Sequence, residues 1–483
     1  MNTETVTRVR QYMQAHRDDI VRDVMRLCRV PSIRAEASEG APFGAACAAA
    51  LDEAIALFRE NGFAANASRG REYGVATMGE GEPILGFFGH TDVVPVGDDW
   101  MLTEPFSPIE SEGYLIGRGV EDNKAGVVLS LYVMRAFREL GLPMRGSMLA
   151  FLGAAEETGM EDIEAFLREQ RPPRISIVPD NAYPVCLGEK GICHLVARSE
   201  QPLNTLTRFE GGHAFNVILD HVTVGLRSNP ALKAALRMKI ADKDAFSLDE
   251  AGDELILTAH GLTAHASMPD GSVNAACLAA DLLSSLSELD RGDRAVLRSL
   301  SSLLSGVHGE SLGIDRSDAY FGRVTAANGI VSLEDGHLTL TLDIRYGTVL
   351  DGEEMLSAVR SALSDAGFAL LRLCENKTPF RIAEDSPEAL AMIGVYREVS
   401  GEADCRPYYS GGGTYARHLP NAFSVGCAVP YLRGQKIFPK GHGEVHQSDE
   451  CIYIDALIES AVMITLMALA VENSIAEGGS DGV

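Results

Sequence analysis

The pattern of apolar and polar positions differs between the two ends of the chain and its middle. Over residues 6–27 and 51–58, apolar residues recur every three or four positions, as on one face of an amphipathic helix. Three short runs, at 84–88, 148–152 and 175–178, are apolar throughout and end abruptly in polar residues. Strands that are buried on both faces have this character. The pattern predicts an α/β domain with a mostly parallel sheet that helices cover on both faces.

The middle of the chain alternates between apolar and polar residues instead. Residues 337–345 alternate strictly, which is typical of a half-buried antiparallel strand, and place on one face Leu338, Leu340, Leu342 and Ile344. From Ser386 onward the helix and strand pattern of the first part returns. We therefore expect an inserted α+β domain over residues 187–383, and a discontinuous main domain over 1–186 and 384–483.

The length of 483 residues agrees with two domains, because a single hydrophobic core stops growing near ~250–300 residues. The chain has 42 Lys and Arg against 68 Asp and Glu, a net charge of −26. This field repels polyanions, so we expect neither nucleic acid nor an anionic membrane as a partner. The longest apolar stretch, 461–471, is about half of the ~20 residues that a membrane span needs. It indicates a buried helix.

The cysteines and the first residues indicate the compartment. The nine cysteines are dispersed at irregular spacing without a Cys-x-x-Cys pair, which is typical of reduced thiols. The first residues lack the apolar segment of a secretory signal. We therefore expect a cytoplasmic protein.

Five segments place acidic residues or histidine directly after an apolar run. They begin at residues 89, 117, 154, 178 and 441 and read GHTDVVP, GRGVEDNKAG, AAEETGMED, VPDNAYPV and GHGEVHQSDE. Ligand sites in open parallel sheets lie beyond the carboxyl ends of the strands. We therefore expect one shared site, built from His90, Asp92, Asp122, Glu156, Glu157, Asp180 and His446.

Two histidines and three carboxylates of this set suit a pair of metal ions. Zn²⁺ binds imidazole nitrogen and carboxylate oxygen, and two ions ~3.5–4 Å apart need a bridging group. One carboxylate then bridges, and one histidine and one carboxylate remain for each ion. Taken singly, the residues keep ordinary explanations: Asp122 suits a helix N-cap, Asp180 a turn, and His446 a surface cluster. Their joint occurrence at the ends of successive strands favours the metal site.

These motifs resemble those of the co-catalytic zinc hydrolases, which include aminoacylase, carboxypeptidase G, succinyl-diaminopimelate desuccinylase and the PepV-type dipeptidases. The resemblance covers nearly the whole chain. It rests on GHTDVVP, on GRGVEDNK for the family pattern G-R-G-x-x-D-[DN]-K, and on the EET pair. The segment PDNAYPVCLGEKG resembles the PepV branch most.

The resemblance implies a role for each residue of the site. Asp122 would bridge two Zn²⁺ ions, with His90 and Asp180 on one ion and Glu157 and His446 on the other. Glu156 would be the general base, and Asp92 would orient His90. Co²⁺ and Mn²⁺ suit the same ligands. In this family the peptide bond after the bridging aspartate is often cis, so we expect a cis bond between Asp122 and Asn123.

Four further segments match the family around the substrate. The segment TAHGLTAHASMPDGSVNA resembles the one whose histidine, here His265, stabilises the oxyanion, and GGHAFNV the one that supplies an asparagine, here Asn216. Arg345 in LDIRY resembles the arginine that clamps the substrate's C-terminal carboxylate. The SGGGTYAR run resembles a glycine loop that binds a carboxylate through backbone N–H groups, and we expect contacts from Gly412, Gly413 and Thr414.

Together these features predict a zinc-dependent dipeptidase. A water activated by two zinc ions would attack the peptide bond of a small dipeptide, with Glu156 as general base. A deacylase of N-acyl amino acids with the same site chemistry, and a non-enzymatic metal-binding family member, stay open as alternatives. The inserted domain is about twice the lid of dimeric relatives. That size resembles the PepV branch, which supplies its own oxyanion histidine, so we expect a monomer.

Overall fold

The computed structural model describes residues 2–436 and 438–478. The chain divides into two compact units. Unit 1 consists of Met1–Gly188, Ile382–Tyr408 and Thr414–Val483, and unit 2 of Glu189–Arg381 and Tyr409–Gly413.

Helices and strands alternate through the first segment of unit 1. Its helices are α1 (Thr3–Ala15), α2 (Arg17–Cys28), α3 (Ala45–Glu60), α4 (Lys124–Leu140) and α5 (Glu161–Glu169). Its strands are β1 (Ala64–Ala67), β2 (Gly74–Met78), β3 (Pro83–His90), β4 (Ile109–Ser111), β5 (Tyr114–Ile116), β6 (Ser147–Gly153), β7 (Ile175–Pro179) and β8 (Cys186–Glu189). The helical pattern over 6–27 forms two helices and not one, because the chain leaves helical geometry at His16, where α1 ends.

Unit 2 is richer in strands. They are β9 (Gly191–Ser199), β10 (Leu206–Glu210), β11 (His221–Arg227), β12 (Phe246–Ala251), β13 (Glu254–His260), β14 (Ser317–Asp318), β15 (Gly322–Arg323), β16 (Thr325–Ala327), β17 (Val331–Glu334), β18 (His337–Tyr346), β19 (Phe368–Lys377) and β20 (Phe380–Arg381). Its helices are α6 (Pro230–Ile240), α7 (Ala275–Ser284), α8 (Arg291–Leu303) and α9 (Gly352–Asp365). The last part of the chain adds α10 (Pro387–Ser400), β21 (Tyr408–Ser410), β22 (Ala422–Val425), β23 (Cys451–Tyr453) and α11 (Ile454–Gly478).

The main sheet of unit 1 has a parallel centre. Its strands follow the order β1-β2-β6-β3-β7-β22-β8. The pairs β6–β3, β3–β7 and β7–β22 are parallel, whereas β1, β2 and β8 pair antiparallel at the sides. Nearly every residue of β3, β6 and β7 is buried, although successive side chains point to opposite faces. Both faces are therefore covered, and the predicted α/β architecture is confirmed.

The long helix α11 belongs to the core of unit 1. It contains the apolar stretch 461–471 and packs against α1, α4 and α10. Among the described residues it is the helix whose length and apolarity would suffice to cross a membrane. In its apolar window within Ile454–Ile475, however, 89% of the residues are buried inside the fold. Such burial is typical of the central helix of a globular core.

Besides the short β14–β15 pair, unit 2 contains two antiparallel sheets around one apolar core. One sheet has the order β10-β11-β13-β12, and the other β16-β18-β9-β19 with β17 beside β18. The core joins side chains from both sheets and from α7, α8 and α9. The alternation predicted for β18 holds in its first half, whereas its second half is buried on both sides.

The main segment of unit 2 begins and ends two residues inside the expected bounds of 187 and 383. Residues 409–413 differ from the expectation, because they cluster with unit 2 and not with the main domain. The backbone N–H of Lys190 donates to Ser410 O (2.9 Å), and the ring of Tyr409 contacts Phe321 at 5.2 Å. The interpretation of unit 2 as a lid stays a prediction.

Candidate metal centre

The predicted metal ligands gather at one edge of the main sheet. His90 is the last residue of β3, Asp180 directly follows β7, and Glu157 lies in the turn after β6. Because β6, β3 and β7 are parallel neighbours, their carboxyl ends meet at the same edge. Asp122 comes to this edge just before α4, and His446 from the loop before β23.

The five side chains form two groups that share Asp122. In the first group, His90 Nε2 lies 3.1 Å from Asp122 Oδ1 and 3.7 Å from Asp180 Oδ2. In the second group, His446 Nε2 lies 2.9 Å from Asp122 Oδ2 and 3.2 Å from Glu157 Oε1. Within each group, one ligand atom from every residue lies within 4.8 Å of the others. Each group thus offers one histidine, one carboxylate and one oxygen of Asp122.

The hydrogen bonds of His90 fit a bound cation. Its ring is fully buried, and Nδ1 lies 3.0 Å from the backbone oxygen of Asp92. A carbonyl oxygen only accepts, so the proton of a neutral ring is on Nδ1. Nε2 is then a bare nitrogen, and it faces carboxylate oxygens of Asp122 and Asp180. A buried nitrogen lone pair that faces two carboxylates is the arrangement of a metal ligand.

Without a cation, the site holds crowded charges. Burial raises the pKa of Asp180 to about 6, and burial with the charge of Asp122 raises the pKa of Glu157 to about 7. Although burial opposes it, the hydrogen bonds to Asp122 and Glu157 raise the pKa of His446 to about 11. Burial and then the charge of Asp180 raise the pKa of Glu156 well above its ordinary value. Burial is the first cause of the three carboxyl shifts, and divalent cations would offset it by neutralising the carboxylates.

Two buried carboxylates hold the turn that carries Glu156 and Glu157. Asp92 Oδ1 accepts the backbone N–H of Glu156 (3.2 Å), and Asp92 Oδ2 accepts that of Glu157 (3.1 Å). Asp162 Oδ2 accepts the two preceding amides, from Ala154 at 2.7 Å and Ala155 at 3.0 Å. Four successive amides, from Ala154 to Glu157, therefore bind to side chains that lie outside the turn.

Asp162 was not singled out from the sequence. It also accepts a hydrogen bond from the hydroxyl of Tyr415 at 2.5 Å, and it is completely buried. Burial and then the charge of Asp92 raise its pKa to about 6. A carboxylate in the first turn of α5 has the usual appearance of a helix start, so no local signal separates it from a solvated residue.

A third buried carboxylate, Glu450, holds the loop of Asp122. Its Oε1 accepts the backbone N–H groups of Glu121 (3.0 Å) and Asp122 (3.1 Å). Its Oε2 accepts from Arg118 Nη1 (2.8 Å) and from the backbone N–H of Gly119 (2.9 Å). Glu450 follows His446 by four positions, so one segment contributes both a predicted ligand and the support of Asp122. Sequence reasoning missed Glu450 as well, although it lies within the same motif.

The Asp122–Asn123 peptide bond is cis, as expected. The side chain of Asn123 connects the ends of two strands. Its Oδ1 accepts the backbone N–H of His90 (3.3 Å), and its Nδ2 donates to the backbone oxygen of Pro179 (2.5 Å). Asn123 therefore links the segments that carry His90 and Asp180.

The predicted substrate residues of unit 2 form two pairs, of which the first is Asn216 with His265. Val217, next to Asn216, forms a β-bridge with His265, and the backbone N–H of Ala266 donates to Asn216 O (2.9 Å). His265 is exposed, and its Nδ1 accepts the backbone N–H of Ser267 (3.2 Å). The neutral ring then carries its proton on Nε2, as an oxyanion donor requires.

The second pair is Arg345 with the glycine loop. Arg345 Nη1 donates to Gly411 O (3.2 Å), and the backbone N–H of Gly412 donates to Ser410 Oγ (3.0 Å). Gly413 is the last residue of this part of unit 2.

Thr414 differs from the glycines before it. It lies in unit 1, is buried, and its hydroxyl accepts the backbone N–H of Ala416 (3.1 Å) as a helical cap. This side chain is therefore committed to the fold.

Comparison with known proteins extends these observations. Residues 86–470 match the model of the family described as peptidase family M20/M25/M40. YtjP of Bacillus subtilis, described as a putative dipeptidase, is 28% identical over 463 residues, which cover 92% of this chain and 96% of that protein. The similarly described SSP1012 of Staphylococcus saprophyticus is 26% identical over 459 residues, with 92% and 95% covered.

Solved structures share the fold at low sequence identity. Human carnosine dipeptidase 1 has a TM-score of 0.58 at 14% identity, with 97% of this chain and 99% of that chain covered. The di-peptidase Dug1p of Saccharomyces cerevisiae has a TM-score of 0.58 at 12% identity, with 98% and 99% covered. The metallo-carboxypeptidase Sso-CP2 of Sulfolobus solfataricus has a TM-score of 0.56 at 17% identity, with 94% and 99% covered.

Proposed function

The chain belongs to peptidase family M20/M25/M40, a family of metal-dependent peptidases, and on that premise we propose that it is a zinc-dependent dipeptidase. The observation that carries the proposal is the pair of ligand groups that share Asp122. His90 and Asp180 would hold one ion, Glu157 and His446 the other, and Asp122 would be shared by both. Co²⁺ and Mn²⁺ fit the same donors.

The chemistry needs a nucleophile, a base and a proton donor. Two zinc ions held by these residues would supply a water with a pKa lowered toward ~7 and would polarise the scissile carbonyl. Glu156 takes the proton of the attacking water and then delivers it to the leaving amine. Asp92 keeps the turn of Glu156 in place through the backbone amides of Glu156 and Glu157.

The residues of unit 2 would act on the rest of the substrate. His265 would donate its Nε2 proton to the oxyanion, with Asn216 beside it. Arg345 and the backbone N–H of Gly413 would bind the C-terminal carboxylate, and Gly412 would join them only by releasing its N–H from Ser410 Oγ. Thr414 would contribute through its backbone, since its hydroxyl caps Ala416. The substrate is then a small dipeptide with a free carboxylate.

The relatives described as dipeptidases support peptide hydrolysis over the deacylation of N-acyl amino acids. The complete set of donors with Glu156 beside them supports an enzyme over a non-catalytic metal-binding protein. The nine cysteines are all free thiols, which supports a cytoplasmic location. We further propose that the protein acts as a monomer.

The test compares substrates and one variant. After dialysis against Zn²⁺, the wild type should bind two ions per chain and hydrolyse Ala-Ala much faster than N-acetyl-alanine. Chelation should remove the activity, and added metal should restore it. Glu156→Gln should keep both ions and lose a factor of ~10²–10⁴ in kcat, the usual contribution of a general base. Preferred hydrolysis of N-acetyl-alanine, or a Glu156→Gln variant with wild-type turnover, would contradict the proposal.

A further inference from the structure

Three neighbouring strands of unit 2 place charged residues side by side. Asp343 on β18 and Glu375 on β19 both lie opposite His194 on β9. His194 Nε2 lies 3.1 Å from Asp343 Oδ2, and His194 Nδ1 lies 3.2 Å from Glu375 Oε2. An ionised carboxylate only accepts hydrogen bonds, so both ring nitrogens must donate. The contacts therefore specify an imidazolium between two carboxylates.

The surroundings agree with a charged ring. Although burial opposes it, the hydrogen bonds to Asp343 and Glu375 raise the pKa of His194 above its ordinary value. Glu375 is balanced on its other side by Lys377, with Nζ 2.7 Å from Oε1. The ring of Phe215 packs against the His194 ring, with 5.0 Å between their centroids.

The same carboxylate that binds His194 also binds Arg345. Asp343 accepts from Arg345 Nε at 2.5 Å and from Arg345 Nη2 at 2.7 Å, and it is completely buried. These two bonds fix the plane of the guanidinium and leave Nη1 toward Gly411 O. Asp343 Oδ2 is thus shared between Arg345 and His194. The orientation of Arg345 depends on Asp343, and the position of Asp343 depends on His194.

Charge gives a second reason why Arg345 depends on His194. A buried Asp343 that faced only Arg345 would neutralise it, and the pair would attract an anion weakly. The positive charge of His194 offsets Asp343, so Arg345 keeps its attraction for a carboxylate. Loss of the imidazolium would therefore disturb both the direction and the effective charge of the guanidinium.

We propose that His194 is a positioning residue that sets how strongly Arg345 binds the C-terminal carboxylate of the substrate. The inference rests on the proposed function, since it assigns the carboxylate of a dipeptide to Arg345. Glu375 takes part by holding the second nitrogen of His194.

The test measures kcat/KM for Ala-Ala and for Ala-Ala amide, which lacks the carboxylate. In His194→Gln, the ratio of the two values should fall about tenfold, as for a weakened hydrogen bond to a charged group. Glu375→Gln, which leaves the ring in place, should lower the ratio by a smaller factor. The matched control is His221→Gln, because His221 also pairs with a carboxylate in unit 2, at 2.9 Å from Asp220, but is exposed. Its ratio should equal that of the wild type.

The outcomes distinguish the positioning role of His194 from the proposed dipeptidase function. A ratio that falls in His194→Gln and Glu375→Gln but not in His221→Gln supports the inference. If kcat/KM falls by the same factor for both substrates in His194→Gln, or does not fall for either, the ratio stays unchanged. The positioning role of His194 is then wrong, and the proposed dipeptidase function is unaffected. If the wild type hydrolyses neither substrate while binding two metal ions, the proposed function is wrong and the inference falls with it. Thermal unfolding of each variant verifies that the compared proteins are folded.

Discussion

Replacing Glu450 by glutamine tests how the loop of Asp122 is held. Each oxygen of the Glu450 carboxylate accepts two hydrogen bonds: Oε1 from the amides of Glu121 and Asp122, and Oε2 from Arg118 and the amide of Gly119. A glutamine keeps one of these oxygens and replaces the other by NH₂, which also donates. In either orientation of the glutamine side chain, its NH₂ group then faces N–H groups that a carboxylate oxygen of Glu450 accepts from.

The magnitude follows from the burial of the pair. The side chains of Arg118 and Glu450 are 1% and 0% exposed, so the guanidinium cannot reach water when its partner is lost. Removing one partner of a buried ion pair lowers the free energy of unfolding by ~3–5 kcal/mol. For a unit of this size we expect a decrease in Tm of about 6–15 °C. Because the loop carries a predicted ligand, metal affinity should also fall, by about 10–100-fold.

The assay is thermal and urea unfolding of the metal-free protein, which separates stability from metal binding. Glu60→Gln is the matched control, since Glu60 forms a similar pair with Arg26 at the surface of unit 1. The side chain of Glu60 is 57% exposed, and such pairs contribute ~0–1 kcal/mol. A double replacement of Arg118 and Glu450 by methionine should recover only the part of the loss that comes from the unpaired guanidinium, because the amides of Gly119, Glu121 and Asp122 still lose their acceptor.

Two results would refute this reasoning. If Glu450→Gln lost no more stability than Glu60→Gln, the buried pair would not hold the loop. If it lost stability but bound metal as tightly as the wild type, Glu450 would support the fold without positioning Asp122. Metal affinity is measured by competition with a chelator of known affinity, under conditions where the variant is folded.

Two further predictions concern the other supporting carboxylates. Asp162→Asn should lower the free energy of unfolding by ~2 kcal/mol. Asp162 Oδ2 accepts three hydrogen bonds and Oδ1 accepts the backbone N–H of Ile163 (2.8 Å), whereas the side-chain amide of asparagine cannot accept at both positions. Tyr415→Phe, which removes one of these bonds, should cost ~1 kcal/mol in the same urea unfolding, and equal costs would contradict the argument. Bonds to His194 and Lys377 outweigh burial and lower the pKa of Glu375 to about 2, from 4.5. Its folded pKa lies below the unfolded one, so its contribution to stability is complete above about pH 5 and is lost as the pH falls toward 2. Glu375 also raises the pKa of His194, so that part of the stability difference is complete only below about pH 6. The difference in the free energy of unfolding between wild type and Glu375→Gln should therefore be largest near pH 5 and shrink below pH 4. A difference that grows below pH 4 would refute the proposed interaction of His194 with Glu375.

The fold class could be predicted from the sequence because its signal is local. Runs such as 84–88 and 148–152 are apolar on both faces, which is a property of the strand itself. The ends of these runs also predicted where His90 and Glu157 would lie. The break between α1 and α2 at His16 could not be predicted, since the apolar period continues through it. The assignment of residues 409–413 to unit 2 also depends on contacts with residues far away in the chain, including Lys190 and Arg345.

The residues that support the site were the hardest to predict, for a physical reason. Asp162 and Glu450 bind backbone amides, and any sequence supplies backbone amides, so the partner leaves no pattern to recognise. A metal ligand differs, because its partners in the site are themselves histidine or acidic residues. Metal ligands can be predicted from the sequence because several histidine and acidic residues follow predicted strands. Side chains that bind backbone amides can be identified only from the structure.

The two ligand groups also differ in how they depend on the rest of the chain. His90, Asp122 and Asp180 all come from the first segment of unit 1, and Asn123 links the strands that carry them. The second group needs His446, which arrives from the far end of the chain. Asp122 belongs to both groups, and its loop is held by Glu450 from that same distant segment. Neither group is therefore independent of the C-terminal segment, because the residue they share takes its position from it.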